Sequence, residues 1–295
     1  QNIISNAPII VGNITASHIS VYGCGYIGGE IYGDVTLYGG GLESGTFYGN
    51  MEFYDDPNEP NCDSGIFGTV IGNVSFYDNM GLKHNTDYLT ATQINFYDNS
   101  FNNGNISGDC IFNDYSINGQ TIMDEENNII YIGNITGNCT FNDSSVNWGT
   151  ITGNCVFNNL ETYGMITGNC IFNPGSVFIS GIINGDAIFY SAGSDGGWII
   201  GTAIFNGDSY MMGGQADYAI FNGNTYVDVD INYDATFNDN SHSNYINCGG
   251  TLTYNDASYH DVNASSATSS TLVLGTRTPY PLRSGINNSN ILGLI

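Results

Sequence analysis

The chain has 295 residues and a formal net charge of −25, because 28 Asp and Glu face only three Lys and Arg. Nucleic acid and anionic membrane surfaces would repel such a chain, so we expect neither as a partner. No apolar run approaches the roughly 20 residues that cross a bilayer, so we expect no membrane insertion. The chain starts at Gln1 rather than Met, which favours a mature secreted protein at an extracellular or cell-surface location after signal-peptide removal.

One short motif repeats along the chain. Residues 135–142, 151–158 and 166–173 read Ile-Thr-Gly-Asn-Cys-x-Phe-Asn, where x is Thr, Val or Ile. With the Phe as position 0, equivalent residues recur at a usual interval of 16 residues. A fixed short period of this kind is typical of solenoid proteins. The residues at position 0 are Val21, Leu37, Phe53, Phe76, Phe96, Phe112, Phe141, Phe157, Phe172, Phe189, Phe205, Phe221, Phe237 and Tyr254.

Within each repeat the apolar residues alternate with variable ones. Positions 0 and −2 are apolar in nearly every repeat, which predicts a strand that turns both inward. Gly at position −4, followed by Asn or Asp, predicts a corner. Further apolar positions at −6 and, less regularly, at +5 predict two or three short strands per coil. The fold class we expect is all-β, a single-chain parallel β-solenoid (β-helix) of about 16 residues per coil and roughly 14 coils.

In chain order, residues 1–261 are predicted to form the solenoid rod, with a first coil that begins near Ile9. Three insertions interrupt the period near 55–65, 80–88 and 118–131, and their polar composition predicts protruding loops. Residues 262–295 break the pattern and contain no acid but two of the three basic residues. We expect this C-terminal tail to be an assembly or docking segment, with a loosely ordered terminus as the alternative.

A solenoid stacks like residues on like, so each position becomes a column along the rod. Asn138, Asn154 and Asn169 are predicted to form a ladder of side-chain hydrogen bonds. The inward columns contain Cys139, Cys155 and Cys170, and Phe141, Phe157 and Phe172. The cysteine column, which starts at Cys110, continues as Ala187, Ala203, Ala219 and Ala235. This exchange indicates a small space-filling residue, so we expect buried free thiols rather than disulfides or a zinc site.

Three other cysteines, Cys24, Cys62 and Cys248, lie outside that column, and the sequence leaves their pairing open. The total of seven is odd, so at least one thiol has no partner within the chain. Cys62 lies in a predicted exposed loop and is the candidate for an intermolecular bond.

Carboxylates cluster in the predicted loops, where hard oxygen ligands could bind calcium. The repeat-type calcium motif Gly-Gly-x-Gly-x-Asp is absent, so the simpler interpretation is solvated charge, with no metal site and no cofactor. No acid pair stands out for glycoside hydrolysis, and no nucleophile motif accompanies the four His residues. We therefore predict no catalytic residues and no enzymatic activity. The calcium candidates are Asp55, Asp56, Glu59, Asp63, Asp124, Glu125 and Glu126.

The outward position −1 carries a row of β-branched residues on five consecutive coils, here named the outer stripe: Val156, Ile171, Ile188, Ile204 and Ile220. A contiguous apolar surface of this kind favours a contact with another molecule. Cover by the chain's own tail is the alternative. The tail contributes further predicted interface residues, namely Leu272, Val273, Leu274, Arg277 and Arg283.

The repeat Gly-Asn-Cys/Ala-x-Phe-Asn, over about residues 12–256, resembles the Asn- and Gly-rich solenoid repeats of very large secreted prokaryotic and phage surface proteins. This resemblance is to a repeat style without a defined activity, and it implies a parallel β-solenoid in a surface setting. The function we predict is a secreted structural subunit that assembles with copies of itself, end to end or laterally, into an extracellular filament. An adhesin or phage tail-fibre-type glycan-binding solenoid and a polysaccharide-degrading β-helix enzyme remain alternatives.

Overall fold

The computed structural model describes residues 2–6, 9–56, 65–123, 129–158, 161–260 and 266–274. It confirms the predicted fold class, since the chain forms a parallel β-solenoid of about 15 turns, where the sequence predicts roughly 14. The described residues form 33 strands, of which 31 belong to one continuous sheet system and two form a separate hairpin. Within that described part, no helix is long and apolar enough to span a membrane.

The strands of the first coils are β1 (Asn2–Asn6), β2 (Ile9–Val11), β3 (Ile14–Tyr22), β4 (Tyr26–Tyr38), β5 (Gly41–Tyr48), β6 (Met51–Tyr54), β7 (Phe67–Phe76), β8 (Gly81–Leu82), β9 (Tyr88–Phe96), β10 (Phe101–Asn102) and β11 (Asn105–Phe112). The middle coils contain β12 (Ile117–Asn118), β13 (Gln120–Met123), β14 (Ile129–Ile132), β15 (Asn134–Thr136), β16 (Cys139–Phe141), β17 (Val146–Asn147), β18 (Thr150–Thr152), β19 (Cys155–Phe157), β20 (Glu161–Thr162), β21 (Met165–Thr167) and β22 (Cys170–Phe172). The last coils contain β23 (Val177–Phe178), β24 (Ile182–Asn184), β25 (Ala187–Tyr190), β26 (Gly193–Ser194), β27 (Trp198–Asn206), β28 (Tyr210–Phe221), β29 (Tyr226–Ile231), β30 (Ala235–Phe237), β31 (His242–Tyr254), β32 (Tyr259–His260) and β33 (Ser266–Leu274).

Each coil buries its predicted inward positions. In the coil of β18 to β20, Ile151, Cys155 and Phe157 are at most 1% exposed. The strands pair in register with the equivalent strands above and below, so that Phe157 lies between Phe141 and Phe172 at ring-centroid distances of 5.1 and 4.8 Å. The core is therefore a thin column of stacked side chains that runs along the rod.

The corner at position −4 requires glycine for two reasons. Gly153 has a φ of +155°, which L side chains rarely adopt. A Cβ atom there would also collide with the carbonyl oxygen of Gly137 on the preceding coil. The corner that follows the Phe uses Asp instead at Asp114 and Asp143, with φ of 56° and 55°. Asp tolerates this left-handed conformation better than most residues.

The third strand of the coil differs from the sequence interpretation. The apolar pattern predicts that position +5 faces inward, but Ile117 at that position is 37% exposed. Its neighbours Ser116 and Asn118 are fully buried instead. The pattern holds at Leu42, which is fully buried, and fails in the middle coils, where the inward positions are polar and apolar residues occupy the outer face.

The insertions take different forms. Within 118–131, β13 and β14 form an antiparallel hairpin rather than an irregular loop, with Ile122 opposite Ile130. In 80–88, residues 84–86 are exposed and Asp87 is fully buried. The Asp87 carboxylate accepts the backbone N–H groups of Lys83 and His84, at 3.0 and 3.2 Å. Of the first insertion, residues 57–64 lie outside the described part of the chain.

The stack starts before the predicted first coil and continues past residue 261, the predicted end of the rod. β1 pairs with β3, so the first coil includes residues 2–6 and does not start near Ile9. At the other end, β33 pairs with β31 from Tyr245 opposite Ser266 to Tyr254 opposite Leu274. The segment predicted as a tail from residue 262 thus contains a further coil, and its remainder from 275 to 295 lies outside the described residues.

Candidate assembly surface

The outer stripe lies on five successive coils, and its members pair directly with each other from Val156 to Ile220. Ile171 is 37% exposed and the other four residues are half-buried. The side chains of this face stand about 4.8 Å apart along the rod, as neighbouring strands do. They form a flat, partly accessible apolar row.

A polar column borders the stripe on the corner side. The side-chain oxygens of Asn138, Asn154 and Asn169 accept the backbone N–H of the same position on the next coil, at 3.1, 2.9 and 2.9 Å. The sequence predicts side-chain-to-side-chain bonds in this column. The structure shows one, from the Asn138 amide to the Asp109 carboxylate at 3.3 Å, and otherwise side-chain-to-backbone bonds. We attribute the difference to the corner, where these amide groups supply acceptors to backbone N–H groups.

The side-chain amide ladder occurs at position +1, on the other border of the stripe. The amides of Asn142, Asn158 and Asn173 each donate to the Asn oxygen of the preceding coil, at 3.0, 2.8 and 2.6 Å. Tyr190 interrupts the row, which resumes at Asn206. Because both borders use their polar atoms within the ladders, the face offers mainly apolar contacts to a partner.

The last coil exposes residues that are buried elsewhere in the stack. Leu272 pairs with Leu252, yet Leu272 is 41% exposed and Leu252 only 1%. Val273 beside it is also 41% exposed. Three other predicted interface features, namely the Leu274 side chain, Arg277 and Arg283, lie outside the described part of the molecule.

The first coils carry tyrosine at position +1. Tyr22, Tyr38, Tyr54, Tyr77 and Tyr97 stack at centroid distances of 4.7, 5.4, 4.6 and 5.0 Å. Each inner ring covers the faces of its neighbours, so these rings present edges and hydroxyl groups to solvent. Burial, followed by the Glu52 carboxylate, raises the pKa of Tyr54 to about 12.

A shallow groove of about 550 Å³ lies at another corner, in the last coils. Its lining includes the carboxylates of Asp195, Asp228 and Asp230, beside Met212. The Tyr245 hydroxyl donates to Asp230 at 2.9 Å. Trp198 belongs to the same column as Asp230, with Gln215 between them, and is 54% exposed. Sequence reasoning missed this groove because the acids are separated along the chain and only the coil register brings them together.

The predicted calcium ligands do not form a cluster in the described residues. Asp55 and Asp56 are half-buried, and the Asp55 carboxylate accepts the Asn79 amide at 3.4 Å. Nowhere in the described chain do three or more His, Cys, Asp or Glu side chains form a group that could hold a metal ion. Glu59, Asp63, Asp124, Glu125 and Glu126 lie outside the described ranges.

The cysteine column consists of buried free thiols. Cys110, Cys139, Cys155 and Cys170 are each at most 2% exposed. Cys248 is also a free buried thiol and donates to the Tyr233 carbonyl at 2.9 Å. Cys24 is disulfide-bonded, and Cys62 lies outside the described residues.

A second inward feature was missed by sequence reasoning. Asn102, Asn118 and Asn147 stack inside the rod, with amide-to-oxygen bonds of 2.8 and 2.7 Å. All three side chains are fully buried. The available signal is the recurrence of Asn two residues after a buried Ser, as in Ser100 and Ser116.

Comparison with known proteins adds no relative. The chain matches no protein-family model, no curated protein and no solved structure at a significant level.

Proposed function

We propose that this chain is a non-enzymatic structural subunit that joins end to end with copies of itself to form a filament outside the cell. The observation that carries the proposal is the last described coil, where Leu272 occupies a core column and is 41% exposed. Among the described strands β33 pairs only with β31, and an open parallel strand edge with exposed core side chains is a template for another strand.

The register of the two ends supports this contact. Leu272 continues the column of Leu252, and Ile3 occupies the equivalent backbone position at the other end, opposite Ile19. A second copy placed with Ile3 above Leu272 would continue the parallel stack in phase. Such a contact joins two different surfaces of the subunit, so it does not close on itself and produces a linear polymer.

The outer stripe provides a secondary, lateral contact in this proposal. From Asn138 to Asn222 the three outward columns of the face contain one acid, Asp186, on a chain of net charge −25. Five coils and three columns cover roughly 300 Å², below the about 800 Å² per partner of a standard interface. The stripe alone is thus too small to hold two subunits together stably. Along two adjacent filaments the same contact repeats in every subunit, so its contributions add.

Electron microscopy and light scattering of the full chain test the proposal. We expect filaments whose growth is faster at higher salt, because salt screens the repulsion between acidic rods. Leu272→Glu should abolish filaments, since it places a charge in the end contact. Ile171→Glu should leave single filaments and remove lateral bundles. Thr152→Glu, at an exposed position away from both surfaces, is the matched control. Dispersed monomeric rods at all concentrations and salt levels would refute end-to-end assembly.

Glycan binding is the second candidate, and the groove at Asp228 and Asp230 favours it. Trp198 is exposed two coils away in the same column as Asp230 and offers a stacking surface for a sugar, while the carboxylates of the groove offer hydrogen-bond acceptors. The stacked Tyr38 and Tyr54 are less suited, because neighbouring rings cover their faces. A glycan-array signal that Trp198→Ala abolishes and Tyr38→Ala preserves would support this candidate.

A further inference from the structure

Four thiols form a straight row inside the rod. Cys110, Cys139, Cys155 and Cys170 pair in register on successive coils. The Phe rings two residues further along these strands are separated by 4.8, 5.1 and 4.8 Å, which measures the local coil spacing. The thiols of Cys110 and Cys139 contact the carbonyl oxygens of Gly108 and Gly137, at 3.6 and 4.0 Å.

This spacing matches one particular kind of metal coordination. A linear sulfur–metal–sulfur unit with bonds of about 2.3 Å, as in zinc thiolates, spans about 4.6 Å. The side chains point inward, roughly perpendicular to the rod axis, so a metal on the line between two sulfurs meets each Cβ–Sγ bond near a right angle. Thiolate sulfur accepts that angle. A disulfide fits less well, because it needs Cβ atoms about 3.8 Å apart.

We propose that neighbouring cysteines of this row bind soft d10 cations of linear two-coordination, such as Hg²⁺, Ag⁺ or Cu⁺. Each ion lies between the sulfurs of two adjacent coils. A sulfur that bridged two ions would need collinear bonds on both sides, so the row holds two ions, at Cys110–Cys139 and Cys155–Cys170. A tetrahedral zinc ion does not fit, because the site offers two donors instead of four.

Charge balance favours Hg²⁺ in the buried site. Two S–H bonds break, two S–Hg bonds form and two protons leave for solvent, so the site is neutral and buries no net charge. Ag⁺ or Cu⁺ displaces one proton and retains the second sulfur as a neutral thiol. No oxidant or reductant takes part. The acidic surface of the protein raises the local concentration of cations.

Titration of the full chain with Hg²⁺ tests the proposal, with every protein carrying Cys248→Ala to remove that free thiol. Binding is followed by the ultraviolet thiolate-to-mercury absorption and by the metal content after gel filtration. Two double variants form the matched pair. Cys110→Ala with Cys139→Ala leaves two cysteines on adjacent coils, whereas Cys139→Ala with Cys170→Ala leaves two that are separated by a coil.

In the presence of a competing monothiol, which removes ions held by one protein sulfur, we expect the row to bind two ions in the parent, one in the adjacent-pair variant and none in the separated-pair variant, relative to a variant with all four residues changed to Ala. Alanine occupies the same column at Ala187 and Ala203, so the fold should persist, which circular dichroism checks. Equal binding by the two double variants would overturn the proposal. So would a parent that, after prolonged incubation, binds no more Hg²⁺ than the four-alanine variant.

Discussion

The first coils, from Val21 to Tyr97, and the middle coils, from Phe112 to Phe172, share one backbone but differ in their side-chain columns. On the outer face at position +1, the first coils stack tyrosine rings at 4.6 to 5.4 Å. The middle coils stack Asn amides at 2.6 to 3.0 Å at the same position. The backbone path is thus compatible with ring stacking and with hydrogen bonding.

The interior of the third strand shows the same contrast. The first coils fill it with Ile27, Leu42 and Leu82, whereas the middle coils fill it with the buried Asn ladder. Within each region most neighbours in the column are of one kind, and the kinds meet where Asn102 pairs with Leu82 and Asn147 pairs with Thr162. The comparison teaches that side chains on neighbouring coils must be compatible with each other. The residue type in a column can still change along the rod.

The corner glycines are common to both regions, and their replacement has the largest expected effect. Gly153→Ala adds a Cβ atom that collides with the Gly137 carbonyl and cannot easily adopt the φ of +155°. We expect the free energy of unfolding to fall by about 3 kcal/mol, the upper part of the range for local backbone strain. Chemical denaturation followed by circular dichroism measures it.

Gly12 provides a matched control for this change. Its φ is +143°, but a Cβ atom there meets nothing within 4 Å, since it lies on the first coils of the stack. Gly12→Ala should therefore cost only the conformational strain, about 1 kcal/mol. Equal losses at the two positions would show that contact with the preceding coil contributes nothing.

The buried Asn ladder is the feature that distinguishes the two interiors. Asn118→Leu replaces its central member with an aliphatic side chain of the kind that fills the same column in the first coils. The amide of Asn102 then loses its acceptor and the oxygen of Asn147 loses a donor. We expect a loss of about 2 kcal/mol, because buried polar groups without partners are costly. Denaturant titration at neutral pH measures this loss.

The triple change of Asn102, Asn118 and Asn147 to Leu sharpens the comparison. It removes the ladder as a unit and leaves no orphaned side-chain amide, while the backbone N–H of Gly104 loses the Asn102 oxygen as its acceptor. Its cost should be well below the sum of the three single changes, since replacing both partners of a hydrogen bond is often nearly neutral. A strictly additive result would mean that the hydrogen bonds of the ladder do not explain its presence.

The inward Phe column and the corner glycines could be predicted from the sequence, because both follow a strict period and a direct steric rule. The third strand could not. Its inner positions in the middle coils are Ser116 and Asn118, and its outer position is Ile117, which reverses the usual alternation. The hairpin of β13 and β14 could not be predicted for another reason, because an insertion occurs once and has no repeating pattern that indicates its structure. The groove at Asp228 and Asp230 depends on coil register, which composition does not report.

The outer Asn ladder should respond to a single atom change. In Asn158→Asp, the carboxylate still accepts from Asn173, but it opposes the Asn142 oxygen to which the amide donates. We expect a loss of about 1 kcal/mol at pH 7. Protonation restores the donor, so the folded pKa of the new carboxyl is raised. The stability is then present below the unfolded pKa and is lost as pH rises through the folded pKa.

The equivalent change in the tyrosine coils should matter less. Tyr54→Phe keeps the ring stack and removes a long hydrogen bond of 3.4 Å to Glu52. We expect a loss below about 0.5 kcal/mol, which is less than an ordinary net hydrogen bond contributes. A loss as large as that of Asn158→Asp would contradict this expectation. It would show that the tyrosine column depends on its hydroxyl groups as well as on ring stacking.

The most local effect should come from Asp87, the charged residue buried in the insertion of the first coils. Burial raises its carboxyl pKa, and the backbone N–H groups of His84 and Lys83 offset this only in part. The folded chain therefore holds the proton more tightly than the unfolded chain, and this contribution to stability declines as pH rises through the raised pKa.

Asp87→Asn keeps an oxygen acceptor for both N–H groups and removes the titration. The stability of the parent relative to this variant should decrease with rising pH, by about 1.4 kcal/mol for each unit of raised pKa, and then level off. A difference that is constant with pH would mean that the Asp87 carboxyl titrates alike in the folded and unfolded chains.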